Sequence, residues 1–243
     1  MQTMAREPRH DSMEGANREA LRRAVDVELG RILEAPLEGG LYLVATPIGN
    51  LGDVSLRALA TLARVDQAYC EDTRVSQTLL ARFGISRRLK TYHEHSPETV
   101  RAEILAALAA GRSLALLSDA GTPGIADPGF KLVRAAAEAG HRVVPVPGPT
   151  ALVAALVASG LPTDRFAFAG FLPARQAQRR RALAELCELP FTVVVYEAPH
   201  RLAATLADMA DVLGSRRAVV AREISKRFEE IVRDDLAGLA RWS

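Results

Sequence analysis

Short uninterrupted apolar runs alternate along this chain with longer stretches in which apolar residues recur every three or four positions. The first pattern marks strands buried on both faces, and the second marks amphipathic helices. Residues 41–45, the start of 66–74, the start of 89–97, residues 114–117 and the start of 141–151 read as strands. Helical stretches follow each of them: 55–65, then from Thr73 to Gly84, Pro97 to Gly111, Pro128 to Gly140, and Thr150 to Ser159. Strand followed by helix, repeated, predicts a parallel α/β sheet. Ser96-Pro97 and Asp127-Pro128 each read as an N-cap with proline at the first helical position.

Gly160-Leu161-Pro162-Thr163 is the best boundary, dividing an N-terminal α/β domain, 41–160, from a C-terminal one, 161–243. Beyond it, 166–170, 191–197, 217–223 and 228–232 read as extended, and 199–212 and 236–242 as helical, in a less regular order. Residues 1–40 read as an extension. Leu21, Val25, Leu29, Ile32 and Leu33 fall at helical spacing, but the stretch is rich in charge and is expected to be a flexible arm.

Composition narrows the class. Apolar residues make up 49% of the 243 and charged residues 25%, enough to bury a core. A net charge of +2 excludes a polycation and leaves room for a local basic face. Cys70 and Cys187 lie far apart with no C-x-x-C, which argues for reduced thiols and against a zinc cluster. His93 and His95 flank Glu94, but no further ligand pattern joins them, and no metal is expected. No apolar stretch reaches a membrane span and the N-terminus is too charged for a signal peptide, so a cytoplasmic protein is expected.

The chain is organised around LALLSDAGTPGIADPG, residues 114–129, a buried strand that breaks into a loop of glycines, prolines and two acids, Asp119 and Asp127. Ligands of open α/β sheets bind at such strand carboxyl ends, where glycine lets backbone approach them closely. TPIGNLGD, 46–53, and EDTR, 71–74, are further loops of this kind, and neither carries the G-x-G-x-x-G dinucleotide fingerprint.

Taken together, TPIGNLGDVSLRAL, AYCEDTR, LLSDAGTPGIADPG, VVPVPGPTA, GLPTDRF, GFLP, YEAPHR and AREISK, in this order, resemble the ribosomal RNA small subunit methyltransferase I family, within the tetrapyrrole-methylase superfamily. The likeness runs from about Leu41 to the chain end. It implies two α/β domains with an S-adenosylmethionine cleft between them, and 2'-O-methylation of a cytidine in the decoding region of small-subunit (16S) rRNA by a homodimer. Carried over by motif, Thr46, Pro47, Gly49, Asn50, Ser118, Asp119, Ala120, Gly121, Thr122 and Pro123 line the cofactor. Tyr196, Ala221 and Glu223 close it from the second domain, and Glu71, Asp72 and Arg74 face the reaction cleft. The family continues past the position of Ser243 with a last strand, so the second domain is expected to be short and to carry an unpaired sheet edge.

A ribose hydroxyl needs its proton removed or its developing charge stabilised before it attacks a methyl group. Glu71, Asp72 and Asp119 are the candidate proton acceptors, and Arg74 and Lys226 the candidate cations. Arg175, Arg179, Arg180 and Arg181 form a basic run expected to meet RNA phosphates, although consecutive helical residues cannot all point one way. Two alternatives stand beside the RNA methyltransferase: the same fold acting on a tetrapyrrole or another non-RNA substrate, and a non-catalytic RNA-binding remnant.

Overall fold

In the computed structural model, which describes residues 9–243, β1 (Gly40–Val44), β2 (Gln67–Cys70), β3 (Leu89–Thr91), β4 (Ser113–Leu117) and β5 (Val143–Val146) form one sheet. Its order is β3-β2-β4-β1-β5 and every pairing is parallel. Side chains alternate across it. Leu114 and Leu116 join Leu41, Tyr69, Ile104 and Leu132 on one face, while Ala115 and Leu117 join Tyr42, Val44, Leu62 and Val146 on the other. Burial on both faces is why the central strands read as unbroken apolar runs.

The helices begin where local chemistry directs, with instructive exceptions. Ser55 caps α2 (Leu56–Arg64) by accepting from the Ala58 N–H, and Asp72 caps α3 (Thr73–Arg82) by accepting from the Arg74 N–H. α4 (Glu98–Ala109) starts one residue past Pro97, without a side-chain cap. Ser96 instead accepts from the His93 N–H. α5 starts at Phe130 (Phe130–Glu138), not at Pro128, because Gly129, at φ +143°, turns the chain just before it. Asp127 is thereby left in the loop.

The N-terminal extension, expected to be a flexible arm, is helical over the described part. Arg9–Glu34 form a helix, α1, and residues 1–8 lie outside the described residues. Its end is docked: the Arg64 guanidinium donates to the carbonyls of Ile32, at 3.0 Å, and Ala35, two acceptors that a helix end leaves free.

The chain leaves the first sheet through α6 (Ala151–Ser159), which ends at Gly160 in the left-handed conformation, φ +78°. The second lobe holds two separate ribbons. β6 (Phe166–Phe171) pairs in parallel with β7 (Thr192–Tyr196), and β8 (Arg217–Arg222) pairs antiparallel with β9 (Glu230–Asp235). α7 (Gln176–Cys187), α8 (Leu202–Leu213) and α9 (Leu236–Trp242) cover them, with Leu206, Leu236 and Leu239 as the packed centre. No hydrogen-bonded pairing joins the two ribbons, so β7 and β8 each keep a free edge. Both line a cavity of about 1450 Å³ that extends to Ile48, Gly121 and Thr122 of the first lobe.

α6 ties the lobes together. Thr150, at its N-cap, makes no capping bond, and the hydroxyl of Tyr196 on β7 accepts from the Leu152 N–H at 2.9 Å instead. At the other end Arg233, on β9, donates to the Ser159 carbonyl at 2.9 Å. One first-lobe helix is therefore held by both second-lobe ribbons.

Candidate active site

The loops after β1 and β4 are stitched together. The Thr46 N–H donates to the Gly121 carbonyl at 2.8 Å, and the Gly121 N–H returns a bond to the Thr46 carbonyl at 3.0 Å. The buried Thr46 hydroxyl donates to the Ser118 carbonyl at 2.9 Å. Thr122 donates through its hydroxyl to the Pro149 carbonyl, adding the loop after β5. Gly121 is buried at φ +88°, a conformation that glycine adopts without strain. The result is a backbone-lined floor at the carboxyl edge of the sheet. It opens into the cavity through Ile48, Ala120, Gly121 and Thr122 and is met from the second lobe by Tyr196, Ala221 and Glu223. Loop backbone at Ala120 and Thr122, an apolar cavity wall and the Asp119 carboxylate of the same loop are a set of groups that fits a nucleoside carrying a positive sulfonium.

The carboxylates divide sharply by environment. Asp72 is committed to its own helix and to Arg74, whose Nη2 lies 2.6 Å from its Oδ2. That guanidinium, with the Arg74 N–H, holds the Asp72 carboxyl down at about 2, a poor proton acceptor at neutral pH. Asp119 accepts from the Asp72 N–H at 3.1 Å and so positions the loop after β2. Asp127 behaves in the opposite way. Burial, opposed by a hydrogen bond from Ser118 and reinforced by the charges of Glu71 and Asp119, raises its carboxyl from 3.8 to about 6. The sequence reading named Asp127 in this loop but spent it as a helix cap. The signal that could have found it was a second acid sharing the loop with Asp119.

Several expected site residues have structural duties. Asn50 Oδ1 accepts from the Gly52 N–H and caps a short 3-10 turn. Gly49 leaves room for Lys226, because a Cβ there would lie 2.4 Å from the lysine Cγ. Lys226 pairs with Glu223 at 3.1 Å, and Ser225 donates to Asp53, so the β8–β9 turn is fastened onto the loop after β1. Glu223 and Ser225 hold positive φ, 52° and 67°, a strain tolerated because the surrounding bonds fix the turn.

The basic run does not act as a unit. Arg179 is 4% exposed and donates to Asp208 through Nε at 2.8 Å and Nη2 at 2.6 Å. Arg180 reaches Asp208 and Asp211 at 2.9 and 3.0 Å. The expectation that Arg179 meets phosphate is corrected: its guanidinium is consumed inside the second lobe, and of the four arginines in the run Arg175 and Arg181 stay exposed, with no ion pair to the described residues. His93 and His95 are exposed, and the described residues hold no group of three or more His, Cys, Asp or Glu side chains placed for a metal.

A five-stranded parallel sheet with stitched loops, facing a second α/β lobe across a cleft, is the architecture of the tetrapyrrole (corrin/porphyrin) methylases, and that family's pattern matches residues 40–240. A crystal structure titled uroporphyrin-III C-methyl transferase from Thermus thermophilus, complexed with S-adenyl homocysteine, has a TM-score of 0.57 at 24% identity, covering 84% of this chain and 91% of that one. At this identity the likeness shows the fold. Two curated relatives narrow the class. The ribosomal RNA small subunit methyltransferase I of Mesorhizobium japonicum is 54% identical over 206 residues, 84% of this chain and 70% of that protein. The protein of the same name from Pseudomonas aeruginosa is 55% identical over 205 residues, 84% of this chain and 73% of its own length. The chain belongs to the ribosomal RNA small subunit methyltransferase I family.

Proposed function

We propose that this chain moves a methyl group from S-adenosylmethionine to the ribose 2'-oxygen of a cytidine in the decoding region of small-subunit rRNA, in the cytoplasm and as a homodimer of two-domain subunits. The observation that carries the reading is identity above one half, sustained over more than two hundred residues, to proteins named as methyltransferases of small-subunit ribosomal RNA. The cofactor supplies an electrophilic methyl group. The loops after β1 and β4 would hold it through Thr46, Pro47, Ser118, Ala120, Gly121 and Pro123, with Asp119 facing its positive charge.

The protein then has to align a hydroxyl and take its proton. Asp127 is the acid best matched to that task near neutral pH, because burial, reinforced by the charges of Glu71 and Asp119, raises its carboxyl to about 6. Asp72 is kept ionised by Arg74 and serves as cap and orienter. Lys226, laid along Gly49 and paired with Glu223, fastens the β8–β9 turn to the loop after β1. The tetrapyrrole alternative rests on the broader family pattern and on fold likeness at 24% identity.

The test is incubation of undermethylated small subunits with methyl-labelled cofactor, followed by mapping of the label. Label on the ribose of one cytidine is the expected result. Label on a base, or transfer to a tetrapyrrole acceptor instead, would refute the reading.

A further inference from the structure

The β8–β9 turn presents a phenyl ring to solvent. Phe228 is 73% exposed, while the Arg227 guanidinium lies over its face, 5.5 Å from the ring centroid. The turn is not a loose tip, since Ser225 is bonded to Asp53 and the Lys226 stem rests on Gly49. Phe228 lines the same cavity as Ile48 and Gly121, and the contacts of its turn with Asp53 and Gly49 bring it to the loop after β1. Of the cations around it, Arg222 is paired with Glu230 and Lys226 with Glu223. Arg227 makes no ion pair among the described residues, and its charge is free for an outside anion. Other exposed rings lack this setting: Phe171 packs edge-on against Tyr196, and Phe130 carries no cation among the described residues.

We propose that Phe228 and Arg227 form a stacking platform for an unpaired base of the rRNA substrate next to the reacting nucleotide, with Arg227 meeting the adjacent phosphate. The proposal rests on the rRNA reading above. A nucleotide whose ribose enters a cleft between two lobes is pulled out of its stack, and its neighbours lose a stacking partner. An aromatic face flanked by a guanidinium replaces that partner without reading sequence. Gly49 and the Ser225–Asp53 bond fix the platform's distance from the cofactor loops, so that holding one base sets the depth of the next.

The test uses the full chain and undermethylated small subunits with Phe228→Ala, Phe228→Leu, Phe228→Trp and Arg227→Ala. It measures KM for the subunit, cofactor affinity by calorimetry, and oligomeric state by sedimentation. Phe228→Ala is expected to raise KM about tenfold, the scale of one lost base–aromatic stack. Trp is expected to restore KM and Leu to fail, with cofactor affinity and oligomeric state constant throughout. Rescue by Leu equal to that by Trp would show simple apolar burial and overturn the proposal. An unchanged KM in the Ala variant would also overturn it. A shift in oligomeric state together with KM would assign the ring to a second copy of the chain. If the wild-type protein labels no subunit nucleotide, the rRNA reading itself has failed, which is distinguishable because the variants are then not at issue.

Discussion

Removing the Arg179 guanidinium decides whether the basic run is a binding face or a structural device. Asp208 is 2% exposed and accepts from Arg179 twice, from Arg180 at 2.9 Å and from Gln176 at 3.0 Å. Breaking a buried ion pair from one side costs about 3–5 kcal/mol, because the remaining charge stays buried. Here Arg180 and Gln176 still donate to Asp208, so Arg179→Ala should cost about 3 kcal/mol, at the lower end of that range. For a chain of this size that is a fall in Tm of roughly 6–12 °C. Replacing both members with apolar residues, Arg179→Met with Asp208→Leu, should stay within about 1 kcal/mol of wild type, since no charge is then left buried. Burial pushes the Asp208 carboxyl up, but the hydrogen bonds from Gln176, Arg179 and Arg180 outweigh it and hold it below its usual value. That stabilisation is present above the unfolded carboxylate's range and is lost as pH falls through the folded one. The gap between wild type and Arg179→Ala should therefore narrow in acid. Thermal unfolding over a pH series and RNA binding over a salt series are the two assays. An Arg179→Ala protein of wild-type stability whose salt slope falls by about one unit would make this arginine a phosphate contact and refute the reasoning.

Asp127→Asn should stabilise the protein above pH 6 and lose that advantage toward pH 4. A carboxyl raised from 3.8 to about 6 favours the folded state only while protonated. The same variant should lose methyl transfer, and a full rate would remove Asp127 from the proton path. Gly121→Val, which forces a β-branched residue to φ +88° against Ile48, should abolish cofactor binding measured by calorimetry while far-ultraviolet circular dichroism is kept. Changing exposed Arg175 and Arg181 to Ala should flatten the salt dependence of RNA binding by about one to two units and leave cofactor affinity alone. An unchanged slope would make both solvated surface.

The first sheet was legible because its information is local and redundant. In 114–117 every residue is apolar because both faces of β4 are covered, and Ser55 and Asp72 cap the helices they precede. Longer-range chemistry was not legible. The three adjacent arginines are spread around a helix, so one had to face inward, but the acid that receives it lies 29 residues away. Asp127-Pro128 carries a helix-start signal that Gly129 overrides, and the displaced carboxyl takes on its character mainly from burial, with a further push from Glu71, which belongs to another loop. The helical spacing of Leu21, Val25 and Leu29 was visible, but the contact that docks the helix end comes from Arg64. Tyr196 was named for the cofactor by motif, while its cap on α6 could be seen only in three dimensions.

The free edges of β7 and β8 bear on what the large cavity can hold. Backbone N–H and C=O groups along such edges demand hydrogen-bond partners, while walls such as Met209, Leu213 and Leu239 demand apolar ones. A filling of greasy shape alone would leave those edge groups bare, at about 1–3 kcal/mol for each. What suits this space is another extended strand, with a spine of alternating donors and acceptors and apolar side chains at its flanks.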